Sequence, residues 1–278
     1  MKKAITIIAL IALVCINAMA VQSGKCGDNA TWTLGDDSVL TISGTGEIKK
    51  FDIDIDKNKV KEAIIKDGIS IIGEKFFAEF KELTKVTLPN TLTEIGDFSF
   101  ATCLELTDIE IPNKVTRIGN AAFLACFDLI SVVIPNSVTE IGIDAFFSCG
   151  NLEKITIPNS VSKIQRRTFF YCSSLRCITI PISVTEIEYD AFKYCSSLIH
   201  INIPKSVKKI EDGAFYGCSN LKKIICESIT PPDLTFANKT NKPTLYVPKE
   251  SIKAYKKADG WRNFKKIKAI EDVETDNH

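Results

Sequence analysis

Six cysteines, Cys103, Cys126, Cys149, Cys172, Cys195 and Cys218, recur 23 residues apart. Thiols in that number can bridge, bind a soft metal or act as nucleophiles, and their spacing decides among these. An unbroken beat sets them in a row, one per structural repeat. Neighbours then lie about 5 Å apart, the spacing of adjacent strands, which a disulfide tolerates on distance alone. Their side-chain vectors, however, run parallel rather than toward one another. We therefore read the column as reduced, buried thiols in preference to pairing or metal binding, because cysteine packs as a small hydrophobe with a weak S–H donor. Cys177 and Cys226 fall outside the column and Cys26 lies near the start. If Cys15 is lost with a leader, nine cysteines remain of the ten, so at least one thiol is free or paired between chains.

Other chemistry finds less to work with. Asp52, Asp54 and Asp56 resemble the opening of a calcium loop, but Lys57 stands where that loop needs glycine and Ala63 where it needs a bidentate glutamate. The interleaved Ile53 and Ile55 fit a strand instead. Only two histidines occur, His200 and the last residue, His278, so neither a histidine-based triad nor a histidine metal cluster can be assembled. Neither a P-loop nor a dinucleotide glycine pattern is present. These patterns imply no enzyme, no cofactor and no metal. Asn29 and Asn238 open Asn-x-Thr sequons, which are otherwise ordinary turn residues.

The elements that would carry the thiols show the same period. Proline recurs at Pro89, Pro112, Pro135, Pro158, Pro181 and Pro204, and phenylalanine at Phe77, Phe100, Phe123, Phe146, Phe169, Phe192 and Phe215. Leucine keeps step from Leu83 to Leu221. In-phase columns with a period in the twenties indicate a leucine-rich-repeat solenoid. Ile155 and Ile157, with their equivalents, alternate with polar residues, so each repeat supplies one short parallel strand with a buried face. Proline then ends the ladder because it has no N–H. Val161 and Ile164 mark a second short extended segment. Glycine follows that isoleucine at Gly73, Gly96, Gly119 and Gly142, yet Gln165, Glu188 and Glu211 replace it later. A positive φ is therefore not required there. The Ala-Phe pairs, such as Ala145-Phe146, are read as a turn of helix on the far side of the coil.

The ends differ from the middle. Met1-Lys2-Lys3, an apolar stretch from Ala4 to Ile16 and then Ala18-Met19-Ala20 read as a secretory signal peptide cleaved before Val21. Without Lys2 and Lys3 the bases fall from 35 to 33 against 34 acids, a formal charge of −1 with neutral histidines. Interspersed charge of that kind argues against nucleic acid. No apolar run of roughly 20 residues crosses a membrane after the leader. We divide the chain into residues 1–20 as leader, 21–59 as an N-terminal β cap, 60–248 as a solenoid of about eight rungs, and 249–278 as a C-terminal cap and tail. Eight rungs at strand spacing extend about 40 Å. In the last segment Ser251 is read as an N-cap before Ile252 and Tyr255, with Trp261 and Phe264 covering the final rung.

The unit Leu-x-x-Ile-x-Ile-Pro-x-x-Val-x-x-Ile-Gly-x-x-Ala-Phe-x-x-Cys, clearest from Leu129 through Cys149, resembles the repeats of BspA-like surface proteins. Cys26 to Trp32, Leu40 to Gly46, and Tyr246-Val-Pro-Lys with Tyr255 and Trp261 resemble that family's flanks. The resemblance implies an exported, secreted or cell-surface adhesin-like protein that binds host or microbial surface proteins. A secreted inhibitor or a structural envelope protein is the alternative. The right-handed coil would present the outward residues of its parallel sheet, and there we place binding at Lys85, Glu110, Lys154, Thr156, Thr179, His200 and Asn202. These outward columns contain no aromatic cluster of the kind that anchors tight interfaces.

Overall fold

The computed structural model describes residues 22–234 and 243–273. The leader, Asn238 and His278 lie outside them. Most rungs of the coil carry two short strands, joined from Pro89 to Pro204 by a proline turn. The chain begins with β1 (Gln22–Lys25), β2 (Asn29–Leu34) and the long β3 (Val39–Ile48), followed by β4 (Glu62–Ile65) and β5 (Ile69–Ile72). Then come β6 (Lys85–Thr87), β7 (Glu94–Ile95), β8 (Asp108–Glu110), β9 (Arg117–Ile118), β10 (Ser131–Val133) and β11 (Glu140–Ile141). After them lie β12 (Lys154–Thr156), β13 (Lys163–Ile164), β14 (Glu186–Ile187), β15 (His200–Ile203) and β16 (Lys209–Ile210). The coil closes with β17 (Lys223–Cys226), β18 (Asp233–Leu234), β19 (Thr244–Val247), the four-residue α1 (Ile252–Tyr255) and β20 (Ile267–Ala269).

Register follows the sequence period. Ser131 pairs with both Asp108 and Lys154, and Glu140 with Arg117, all in parallel. Because the pairing step equals the repeat, like residues stack on like, which is why the columns stay pure inside. Ile109, Val132 and Ile155 fill one buried row, and Val115, Val138 and Val161 another. The phenylalanine rings from Phe77 to Phe215 are fully or almost fully buried and form one continuous stack. Adjacent centroids lie 5.2–5.8 Å apart, with planes within 10°. A lone rung could not persist, because a handful of buried side chains at about 1.5–3 kcal/mol each does not order 23 residues at about 1.5 kcal/mol apiece. Stacking supplies the difference.

The Ala-Phe side is not a turn of helix. It is a run of consecutive turns in which every second N–H bonds to the next rung: Phe146 donates to the Thr168 carbonyl at 3.0 Å and Ser148 to that of Phe170 at 2.7 Å. Between them Phe147 donates back to Asp144 at 3.0 Å and Cys149 to Phe146 at 3.3 Å. A helix would point all its N–H groups along its own axis and leave none for the neighbour. The alternation requires left-handed backbone at every fourth residue, and Asp144 (φ 59°) and Ser148 (φ 57°) adopt it.

The glycines Gly73, Gly96, Gly119 and Gly142 have ordinary φ. Crowding explains them: a Cβ on Gly119 would sit 2.6 Å from the carbonyl carbon of Gly96. The narrow sheet breaks between β11 and β13, where Gly142 gives way to Gln165. The wider ladder loosens one rung later, where Cys177 and Ile178 lie outside any strand and Thr179 keeps a single bridge to Asn202.

Antiparallel β1, β2 and β3 lead into the coil, with Trp32 buried and edge-on to Phe51 at 5.5 Å. At the other end Tyr255 and Trp261 are buried against each other, and β20 adds a strand to β19. Ser251 does not cap α1; its hydroxyl donates to the Pro248 carbonyl at 2.7 Å.

Candidate functional site

The outward strand residues form two exposed columns. In the first, Asp108, Ser131 and Lys154 sit side by side, with Lys85 before them and His200 and Lys223 after. The second carries Glu110, Val133, Thr156, Thr179 and Asn202, all exposed. Of the residues expected to bind, Thr179 and Asn202 are bridged neighbours and Lys154 and Thr156 share β12. Lys85 is engaged by Glu62 at 3.1 Å, and the Asn202 amide donates to Glu227 at 2.9 Å. Glu110 lines a shallow hollow of about 430 Å³ with Asp108, Ser131 and Val133, walled by Pro112 and Pro135. Val133 is 69% exposed there, an apolar side chain paired across the ladder with Glu110.

The cysteine column faces inward, and every one of its thiols is buried and outside any disulfide. Each donates to a phenylalanine carbonyl one rung back, as Cys126 does to Phe100 at 3.1 Å. Burial pushes the Cys126 and Cys218 thiols up to about 12. They therefore hold their protons and are poor nucleophiles and ligands. Cys177 is exposed on the strand face.

Asp52, Asp54 and Asp56 do not converge, and their segment is irregular rather than a strand. Asp52 accepts the Trp32 indole N–H at 3.2 Å, while Asp56 accepts the backbone N–H of Asn58. Among the described residues no three His, Cys, Asp or Glu side chains are grouped to hold a metal ion. Arg117 lies 2.8 Å from Glu94 and 2.7 Å from Asp97. Burial pushes the Asp97 carboxyl up, but bonds from Asn120 and Arg117 outweigh it and hold it below the usual range. This network ties rungs together rather than forming a reactive centre.

Rung register, pure inward columns and a variable outward face are the geometry of a repeat scaffold. The profile of the "BspA type Leucine rich repeat region" matches six copies, over residues 55–176 and 139–258. The chain belongs to the BspA-type leucine-rich repeat family. Solved structures similar to this BspA-type chain include a leucine-rich repeat protein from Eubacterium ventriosum ATCC 27560, 25% identical with a TM-score of 0.47, covering 90% of this chain and 85% of that one. A leucine-rich repeat protein of T. pallidum is 24% identical with a TM-score of 0.47, over 68% and 86% of the two chains. Another from Bacteroides ovatus ATCC 8483 is 21% identical with a TM-score of 0.49, over 82% and 79%. No curated protein matches the sequence. No helix among the described residues is long and apolar enough to cross a membrane.

One surface of this BspA-type coil escaped the reading of the strand columns. On the turn side Phe147 stacks on Phe170 at 4.7 Å and Tyr171 on Tyr194 at 4.6 Å. The Lys193 ammonium lies 5.4–5.7 Å from the ring centres of Phe170, Tyr194 and Tyr216 and 3.0 Å from the buried Asp190 carboxylate. The signal was present: the residue after each core phenylalanine runs Phe147, Phe170, Lys193, Tyr216 at the same period. These aromatics lie in turns, outside the outward strand columns.

Proposed function

We propose that this chain is an exported protein-binding module of the adhesin-like kind, secreted or held at the cell surface, whose strand face reads a protein on a host or microbial surface. The observation that carries the reading is the contrast between columns. Inward positions repeat the same residue types from rung to rung, whereas the outward pairs change from Asp108 and Glu110 to Ser131 and Val133, then Lys154 and Thr156, then His200 and Asn202. Packing dictates the first set, and nothing in packing dictates the second. A surface whose chemistry varies along a rigid ladder is suited to recognising one extended partner. The family supports a scaffold rather than an enzyme, and the leader-like sequence supports export.

The test is direct binding of the purified chain to immobilised extracellular-matrix and host-surface proteins, with microbial surface polysaccharide alongside. Saturable binding to a protein that weakens in a Glu110→Ala, Thr156→Ala, Asn202→Ala variant supports the reading. Binding to polysaccharide alone, or tight stoichiometric inhibition of one secreted enzyme, overturns it.

A further inference from the structure

The outward face is electrically divided along the solenoid axis. On the strand face and the corner that leads into it, the rungs around β8 to β12 carry Glu105, Asp108, Glu110, Asp128 and Glu153, all exposed, which outnumber the exposed Lys154 of β12. No ion pair in the described structure engages any of these five. Thr107 donates to Asp108 at 3.1 Å, which joins corner and face into one surface. From the next rung onward the balance reverses, although the exposed Glu227 accepts from Asn202 there. Arg176 and Lys222, with Ser197, Ile199 and Asn220, line a hollow of about 280 Å³ to which no carboxylate contributes. Neither cation has an ion-pair partner, although the coil's other carboxylates clamp Arg117 and Arg167. Backbone donors in the hollow are already used between rungs: Ile199 bonds to Arg176, and Lys222 to Ile199. The free polar groups are therefore side chains directed outward. Exposed apolar residues accompany both halves: Phe127 (48%), Ile130 (49%) and Val133 (69%) in the acidic rungs, Ile199 (45%) in the basic ones.

One partner matches this pattern at both ends at once. We infer that the outward face, read above as the binding surface, takes a second copy of this chain, docked antiparallel so that the acidic rungs of each copy meet the basic rungs of the other. A two-fold axis near β12 makes the contact isologous, and each charged half is satisfied twice by the same operation. A parallel arrangement sets acid on acid and is disfavoured by like-charge contact. The scattered Phe127, Ile130, Val133 and Ile199 then close under a charged rim, the distribution found in transient interfaces. From the rung of β8 to that of β17 the patch is about 24 Å long at strand spacing, so the contact belongs among weak, reversible, salt-sensitive ones. The inference rests on the strand-face reading and names its partner, a homophilic one.

Charge exchange tests it on the purified chain. One variant carries Asp128→Lys and Glu153→Lys; the other carries Arg176→Glu and Lys222→Glu. All four sites are exposed, so the fold should survive, and circular dichroism verifies this. Sedimentation equilibrium should show the parent chain dimerising at micromolar concentration, with affinity falling roughly tenfold or more between low and high salt. Each variant alone should be monomeric over the same range, and an equimolar mixture should recover dimers. A monomeric parent at every concentration, or variants that dimerise as the parent does, overturns the inference. Binding to immobilised matrix protein separates the two levels. A monomeric parent that still binds there, sensitive to the Glu110, Thr156 and Asn202 substitutions, leaves the strand-face reading standing and removes only the homophilic partner. Loss of both removes both.

Discussion

The thiol of Cys149 donates a hydrogen bond to the backbone carbonyl of Phe123, 3.2 Å away on the preceding rung. The same oxygen accepts the N–H of Cys126 at 3.2 Å. A carbonyl has two lone pairs, and inside a stacked coil the second finds no water. The cysteine column answers that need six times over, from Cys103 to Cys218. Alanine at these sites would fill less space and donate nothing.

Alkylation follows from this geometry. Cys126, Cys149, Cys172 and Cys195 should react slowly with iodoacetamide in the folded chain and rapidly once it is denatured without reductant. Peptide mapping that finds disulfides between neighbouring repeats would show that the column is a covalent ladder instead.

The same burial predicts alkaline sensitivity. A thiol such as Cys126 is raised from 9.0 to about 12 in the folded chain. A raised folded value means stabilisation that is whole below pH 9 and is lost as pH climbs toward 12. Each such thiol steepens the decline by about 1.4 kcal/mol per pH unit in that window. Urea melts from pH 9 to 11.5 should show this slope, reduced by one thiol's share in Cys126→Ala. An unchanged slope would mean that the thiolate is tolerated in place.

Phe146 tests the ring stack. It is fully buried, 5.4 Å from Phe123 and 5.8 Å from Phe169. Truncation to alanine should cost about 3–5 kcal/mol, whereas Lys154→Ala, on the exposed strand face, should stay within about 0.5 kcal/mol. Equal shifts of the denaturation midpoint would contradict the assignment of faces.

How far the sequence spoke depends on which contacts set each feature. Columns such as Ile109, Val132 and Ile155 are legible because the pairing register equals the repeat, so a residue and its spatial neighbour share one phase. The turn run was misread because its backbone is fixed by bonds between rungs. Nothing local in Asp144, Arg167 (φ 54°) or Tyr171 (φ 60°) announces left-handed conformation, which such residues seldom adopt. For the same reason Tyr171 and Tyr194 were not seen as stacked neighbours, although their spacing allowed it. The strand face was placed correctly as a surface by alternation, but its division into acidic and basic halves appears only when the corner residues Asp128, Glu153, Arg176 and Lys222 are added to it.

Crowding, rather than φ, should govern the glycine column. Gly119→Gln should destabilise by about 1–3 kcal/mol through overpacking, since its Cβ would meet backbone of the preceding rung at 2.6 Å. Gln165, the equivalent residue beyond the break between β11 and β13, already carries the larger side chain. Gln165→Gly should therefore cost less, within about 1 kcal/mol. Chemical denaturation of the two variants decides it, and the reverse order would mean that the break in the narrow sheet has another cause.

Binding should separate the strand face from the turn edge. Glu110, Thr156 and Asn202 point outward from the ladder, whereas Asn136, Asn159 and Lys205 follow the prolines at the rim. Replacing each trio by alanine should leave the melting curve nearly unchanged, since exposed substitutions rarely cost stability. Affinity for the partner, whether a second copy or a surface protein, should fall in the strand trio and hold in the rim trio. The strand trio lies along the ladder whose outward chemistry changes from rung to rung, and that variation is what a partner would read. Unaltered affinity in the strand trio with loss in the rim trio would move recognition to the edge of the coil and leave the variation along the strand face without a function.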